Sequence, residues 1–337
     1  MTEKNPPKTT EVRLINYRVV KKVGSGAFGE VYKAESMRYA GKIVALKCED
    51  TENDKDSQKK DRLQQEYLFY RDLNTNVRHT GIPKVYWYGR TVIAIPPTKE
   101  HNTITRVLRN VMIMEYLGPS LDKLFFYSKY SFTMKTILMI GIQCIERLEF
   151  IHNNGIIHRD IKPENFLIGA NNETKNTIYL VDFGLSKRYI DLAEYRFNQF
   201  KNTRSFAGTY RFCSLRSHKR LEQGRRDDLE SLGYVIIYFM KRELPWQGVK
   251  ARNGPEGSHA SRNNEDTKSN AIFKMKRDIS IDTLCEKCPA FMKKYIRYCR
   301  LLKYTEVPDY TYLKSLFRDE LALNGDTEDN EFDWAKI

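Results

Sequence analysis

The run His158-Arg159-Asp160-Ile161-Lys162-Pro163-Glu164-Asn165 decides how the rest of this chain is read. It places a carboxylate (Asp160), a cation (Lys162) and a side-chain amide (Asn165) close together in one short segment. Phosphoryl transfer to a hydroxyl asks for these three groups. The carboxylate accepts or orients the hydroxyl proton, the cation sits near the group in flight, and the amide oxygen serves Mg2+. His158 and Arg159 would then hold the loop. A charged turn of no special purpose would explain the composition but not the order.

Three further segments extend this reading. In Val181-Asp182-Phe183-Gly184 a carboxylate ends an apolar strand and a glycine follows, which suits a metal chelating the β- and γ-phosphates. An Asp-x-Gly turn is common by itself. Upstream, Val23-Gly24-Ser25-Gly26-Ala27-Phe28-Gly29-Glu30-Val31 spaces its glycines so that backbone N–H groups approach phosphate oxygens without Cβ interference. That spacing also marks dinucleotide folds, where a helix follows at once. Here Glu30-Val31-Tyr32-Lys33-Ala34 reads as a strand, so the loop closes a hairpin and favours a lid over ATP. In Val44-Ala45-Leu46-Lys47 a lysine ends an apolar strand, where a cation is costly unless paired. An anionic nucleotide and the carboxylate of Glu66, in Leu63-Gln64-Gln65-Glu66-Tyr67, would pair it. Taken singly, each is more often a surface residue; together and in this order the four segments resemble the protein-kinase signature.

The resemblance narrows to the casein kinase 1 group. Phe166 follows the catalytic-loop Asn165, as in that group. Leu117-Gly118-Pro119-Ser120-Leu121, Arg225-Arg226-Asp227-Asp228-Leu229-Glu230-Ser231-Leu232-Gly233-Tyr234 and Leu244-Pro245-Trp246-Gln247-Gly248 fit it too. So do Pro308-Asp309-Tyr310 and Phe332-Asp333-Trp334. The resemblance implies an α+β, bilobal kinase fold: a tail over 1–12, a mostly β N-lobe over 13–117 and a mostly helical C-lobe over 118–334. It implies an enzyme that transfers the ATP γ-phosphate to Ser or Thr. By the same resemblance Asp160 is the catalytic base, with Lys162 and Asn165 beside it. Lys47 paired with Glu66 holds ATP, and Asn165 and Asp182 bind Mg2+. Met114 lies behind the adenine, Glu115 to Leu117 form the hinge, and Ala45 and Leu167 complete the nucleotide's lining. Asp228 braces the catalytic loop from below.

The group favours substrates with a phosphoserine or acidic cluster upstream, which calls for cations beside the cleft. Arg211 and Gly248 match its phosphate-docking positions, and Lys268 is the third candidate. Three departures stand out. Ser214-Leu215-Arg216 replaces the group's Ser-Ile-Asn and puts local docking in question. The segment 90–109 is long, either a surface excursion or an extended hairpin. A polar insert covers 253–268.

Composition sets the outer limits. Hydrophobic residues at 41% and charged residues at 30% describe an ordinary globular chain of 337 residues, long enough for two lobes. No apolar run approaches the roughly 20 residues needed to cross a bilayer, and residues 1–8 lack a secretory core. Six scattered cysteines suit a reducing compartment, so a cytoplasmic or nuclear monomer is expected. The Cys285-x-x-Cys288 pair lacks the second pair a zinc site requires. A net charge of +14 admits nucleic acid, acidic membrane or acidic protein as partner. No nucleic-acid module is visible, so acidic or phosphorylated proteins are the expected partners and nucleic acid is not. A scaffold that had lost catalysis would lack the lysine or one of the aspartates, and all are present.

Overall fold

From Tyr17 onward apolar and polar residues alternate, and the alternation builds a sheet with one buried face. The computed structural model describes residues 16–26, 29–50, 61–75, 79–97, 103–194, 196–203, 206–249 and 260–336. Ala27 and Phe28, the expected 1–12 tail and the first part of the 253–268 insert lie outside them. Strands β1 (Tyr17–Gly26), β2 (Gly29–Ser36), β3 (Ile43–Asp50), β4 (Val85–Ile95) and β5 (Thr105–Glu115) pair in the order β1-β2-β3-β5-β4, every pair antiparallel. Tyr32 and Ala34, Val44, Leu46 and Cys48, and Val111 and Ile113 form one buried cluster. They are alternate residues of β2, β3 and β5, as a period of two requires. Ala45 and Lys47 therefore point to the other face. Helix α1 (Arg62–Thr75) buries Leu63, Glu66, Tyr70 and Leu73, a single stripe at helical spacing.

The long segment 90–109 is an extended hairpin. β4 and β5 run 11 residues each, and their register continues from Arg90↔Asn110 out to Ile95↔Thr105. At the start of β2, Gly29 has φ +119°, and a Cβ there would stand 2.1 Å from the Cys48 carbonyl oxygen. Only glycine fits that approach.

This sheet with its helix is one compact unit, running through Arg78 and resuming at Ile82–Leu117. The second unit comprises His79–Gly81 and Gly118–Ile337 and is mainly helical. Strand β6 (Leu117–Ser120) leads into α2 (Leu121–Tyr127) and α3 (Met134–Asn153). Thr133 caps α3 by accepting from the Thr136 N–H at 3.2 Å. Strand β7 (Ile156–Ile157) precedes the 158–165 segment, and β8 (Phe166–Gly169) pairs antiparallel with β9 (Ile178–Leu180) after it. The chain continues through α4 (Leu215–His218), α5 (Arg225–Lys241), α6 (Ala260–Asp278), α7 (Ile281–Leu284), α8 (Ala290–Leu301) and α9 (Tyr310–Leu323). The polar stretch taken as an insert is in its second half the opening of α6, because Ala260 onward is free of Gly and Pro and follows them at Gly257 and Pro255.

Helix α5 is the hub. From Arg225 to Phe239 every residue is buried, charged ones included, as suits a helix surrounded by protein. Its guanidiniums find backbone acceptors: Arg225 Nη2 donates to Thr305 O at 2.7 Å and Arg226 Nη1 to Leu302 O at 2.7 Å. Such bonds offset part of the cost of burying them. Among the described residues, no helix is long and apolar enough to cross a membrane.

Candidate functional site

In the sheet unit, Lys47 lies between Val31 of β2 and Met112 of β5 in register. Its Nζ donates to both carboxylate oxygens of Glu66 on α1, at 2.9 and 2.7 Å. Glu66 is 2% exposed and Lys47 9%, so each charge depends on the other for its solvation. Ala45 pairs with Met114 on β5, and both are buried. Glu115 closes the strand: its N–H donates to Lys84 O at 2.8 Å, and its carboxylate accepts from the Lys84 N–H at 3.1 Å. Gly24, Ser25 and Gly26 pair with Val31, Glu30 and Gly29 across the β1–β2 hairpin. Val23 borders a register shift in that ladder.

In the helical unit, Asp160 is 5% exposed and both its oxygens are occupied. Lys162 Nζ donates to Oδ2 at 2.6 Å, and the Thr209 hydroxyl donates to Oδ1 at 2.7 Å. Asn165 donates through Nδ2 to the Asp160 carbonyl at 2.9 Å. That donation fixes the amide's orientation and leaves its Oδ1 as the acceptor end. Thr209 reaches Asp160 because Gly208 before it has φ +115° and passes so close that a Cβ would meet Arg159 O at 2.8 Å. The role of Thr209 toward Asp160 was not legible in the sequence. Nothing in the spacing of 49 residues announces it.

The loop carrying Asp160 is held from α5. The Asp228 carboxylate accepts from the His158 N–H at 2.7 Å, the Arg159 N–H at 2.8 Å and His152 Nε2 at 3.0 Å. The Tyr310 hydroxyl donates to His152 Nδ1 at 2.7 Å, so His152 is the neutral tautomer with its proton on Nε2. Burial keeps His152 below its ordinary value. Burial alone would raise Asp228, but the hydrogen bonds it accepts from His152 and from the His158 N–H outweigh it and hold the carboxyl below its usual range. His158 takes the Asp160 N–H on Nδ1 at 3.3 Å, which places its Nε2 proton on Val181 O at 2.9 Å. Arg159 sits at φ +70° with Nε donating to Leu185 O at 2.6 Å. Backbone in that region costs about 1–3 kcal/mol and persists only where its surroundings fix it. Val181 N donates to Asn165 O at 2.9 Å, and Asp182 follows in the left-handed region at φ 67°, ψ 69°. Leu167 pairs with Tyr179. Two side chains with hard oxygen donors, Asn165 and Asp182, thus flank a short pair of strands, a donor set suited to Mg2+.

Arg216 turns inward. Its Nη1 lies 3.3 Å from Glu230 Oε2 and its Nη2 donates to Arg300 O at 2.6 Å. The departure from the Ser-Ile-Asn pattern is therefore an internal tie from α4 to α5 and α8. Arg211 is exposed, and its carbonyl accepts from Trp246 Nε1 at 2.7 Å. Gly248 (φ +75°) and Lys268 are exposed, and among the described residues no hydrogen bond or ion pair joins either to Arg211. The cation that does meet this loop is Lys276, fully buried on α6. Its Nζ donates to Tyr210 O and Cys213 O, both at 2.8 Å, with the Trp246 ring 4.9 Å away. Burial pulls this lysine down to about 8.

His218, at the end of α4, stacks near Tyr210 and Phe273. Burial and then the Lys276 charge pull it down to about 3. Below its ordinary value the unfolded chain binds a proton that the folded protein refuses, so this residue costs stability as pH falls from about 6.5 toward 3. Asp227, raised by burial to about 6, acts in the opposite sense: its cost is present above pH 6 and relieved below. Against wild type, His218→Gln is expected to reduce the stability lost between pH 7 and 5 by about 2 kcal/mol in urea unfolding. An unchanged difference would mean that the imidazole is solvated. The protein kinase domain family model matches residues 17–305 of the chain.

Proposed function

The chain belongs to the protein kinase domain family, and on that premise we propose that it phosphorylates serine or threonine in acidic or already phosphorylated proteins, in the manner of the casein kinase 1 group. Protein kinases transfer a phosphoryl group to protein substrates and use ATP with Mg2+. The observation that carries the finer reading is the set around Asp160: a buried carboxylate, oriented by Lys162 and Thr209, on a loop fixed by Asp228.

In this reading Asp160 accepts or orients the proton of the incoming hydroxyl. Lys162, already 2.6 Å from that carboxylate, supplies positive charge beside the transferred group. Lys47, kept ionised by Glu66, binds nucleotide phosphates beneath the glycine loop of residues 23–31. By the resemblance, Ala45, Met114, Glu115 and Leu117 of the sheet unit, and Leu167 of the helical unit, are the residues assigned to the base. Asn165 through its free-facing Oδ1 and Asp182 through its carboxylate hold the metal. Bound Mg2+ would neutralise phosphate charge; the protein's part is to position and to exclude water. Six free cysteines agree with a reducing, intracellular setting.

Exposed Arg211 is the cation best placed to read a phosphate or carboxylate upstream of the acceptor, because it follows Thr209 by two residues. Transfer from radiolabelled ATP to a phosphoserine-primed peptide, with an unprimed peptide alongside, tests this. Arg211→Glu is expected to lower kcat/KM on the primed peptide by roughly 10–100-fold, since a charge-assisted hydrogen bond is worth about 1.5–3 kcal/mol. Equal loss on both peptides would remove Arg211 from substrate recognition.

A further inference from the structure

Beside Arg211 the helical unit carries a groove of about 840 Å3 that the catalytic reading does not use. One wall is the exposed end of α2 and the turn after it. Phe126, Tyr127 and Tyr130 are 57%, 56% and 44% exposed, three large rings in five residues. The other wall brings Arg211 and Arg242. Lys123 and Lys129 also line it, and Asp122 is the one carboxylate among the lining residues. Three neighbouring exposed rings rimmed by four cations and a single acid are unusual for an idle surface, since isolated exposed rings are ordinary but contiguous ones mark binding sites.

The backbone goes out of its way to form this wall. Lys129 and Tyr130 both take positive φ, 55° and 57°, though neither is glycine. Two such residues in succession are uncommon, and each costs of the order of 1–3 kcal/mol. The turn is held by Lys129 N donating to Phe126 O at 2.9 Å and Tyr130 N to Phe125 O at 2.7 Å. The buried Phe125 ring meets Tyr130 edge-on at 5.6 Å. The result points the Tyr130 ring at Phe126, 5.6 Å away and 81° inclined. On the far side Arg242 is tied to the Ser131 hydroxyl at 3.1 Å. The pocket is prepared before anything enters it.

We propose that this groove is a second substrate subsite, which takes a bulky apolar side chain, aromatic or branched, carried among acidic residues on the same polypeptide as the phosphoacceptor. The inference rests on the reading of the chain as an acid-directed protein kinase and adds an apolar anchor to it. Three facts select this occupant. The rim is net positive, so acidic residues beside the anchor are drawn in and basic ones repelled. The groove adjoins the reacting carboxylate, because Arg211 stands two residues from Thr209, no more than about 7 Å of chain. The rings stand at 62° and 81° to one another instead of presenting parallel faces in a row, which suits an inserted side chain better than stacked bases.

The test uses the full chain and three fluorescein-labelled peptides: an acidic one containing Phe, the same peptide with Ser in its place, and a lysine-rich one that keeps the Phe. Fluorescence anisotropy is expected to show the first bound about tenfold more tightly than the second, and the third most weakly. In the double variant Phe126→Ser, Tyr127→Ser the ratio of the first two should fall to near unity; the single Tyr127→Ser variant, expected to halve it, serves if the double one does not fold. Equal binding of the Phe and Ser peptides to wild type overturns the proposal. So does a ratio that survives in the variants, or an oligo-uridine probe that binds in the same ring-dependent way and displaces the peptide. Transfer from radiolabelled ATP to the Ser peptide is scored separately. Its absence would overturn acid-directed phosphorylation, while the binding ratio would still decide the groove.

Discussion

Replacement of Asp160 by asparagine is expected to lower kcat for peptide phosphorylation by roughly 10²–10⁴-fold, the range a positioned proton acceptor contributes. The substitution keeps the shape and one acceptor oxygen but removes the charge and the basicity. Thr209, which now donates to Oδ1 at 2.7 Å, and Lys162, 2.6 Å from Oδ2, lose a carboxylate and face an amide, one end of which is itself a donor. The loop should stay in place, because it is fixed through the backbone N–H groups of His158 and Arg159 and not through the Asp160 side chain. The KM for ATP should therefore move little while kcat falls, which is the mark of an interaction made in the transition state. Single-turnover transfer with radiolabelled ATP measures this directly. A variant that retains a tenth or more of wild-type kcat would show that the base is elsewhere. Asp160→Ala separates charge from packing: a similar loss would assign the effect to the missing carboxylate.

The sequence made some of this plain and hid the rest, and the division has a physical origin. Short-range patterns were readable. The alternation through β2 and β3 put Val44, Leu46 and Cys48 on one face and left Lys47 on the other, and a lysine so placed needs a carboxylate. Glu66 lies on the buried stripe of α1 with Leu63, Tyr70 and Leu73, where it can meet that lysine. The 90–109 segment stayed ambiguous because Arg90, Arg106 and Arg109 break the alternation of a hairpin whose outer end is half exposed. What stayed hidden are contacts that only chain reversal creates. Thr209 meets Asp160 across 49 residues, and Lys276 meets Tyr210 across 66. Lys276 sits in a polar helix, whose lysines read as solvated; the rings it meets come from elsewhere, Tyr234 from α5 and Trp246 from the turn after it. The internal partner of Arg216 stayed hidden for the same reason, since Glu230 lies inside α5.

Asp228→Ala is expected to be the most damaging single change to the helical unit, with about 3–5 kcal/mol of stability lost. The carboxylate is fully buried and receives three donors: two backbone N–H groups and the Nε2 proton of His152. Alanine leaves all three without acceptors, and each buried orphan costs about 1–3 kcal/mol. His152 cannot simply turn away, because its Nδ1 is engaged by the Tyr310 hydroxyl and its carbonyl by that of Tyr189 at 2.7 Å. Arg159 would also lose the tie that keeps it at φ +70°, so the loop should relax and carry Asp160 with it. The loss should thus appear twice, as a lowered urea midpoint and as a kcat depressed in the protein that remains folded. The pH dependence gives an independent check. Asp228 titrates below its ordinary value in the fold, so its contribution is complete above that ordinary value, near pH 4, and fades as pH falls through the folded one. The stability gap between wild type and variant should accordingly hold steady from pH 8 to 5 and close only in acid below about pH 4. A gap that instead closed near neutral pH would place the titration on His152 and make the imidazole, not the carboxylate, the group on which the loop depends.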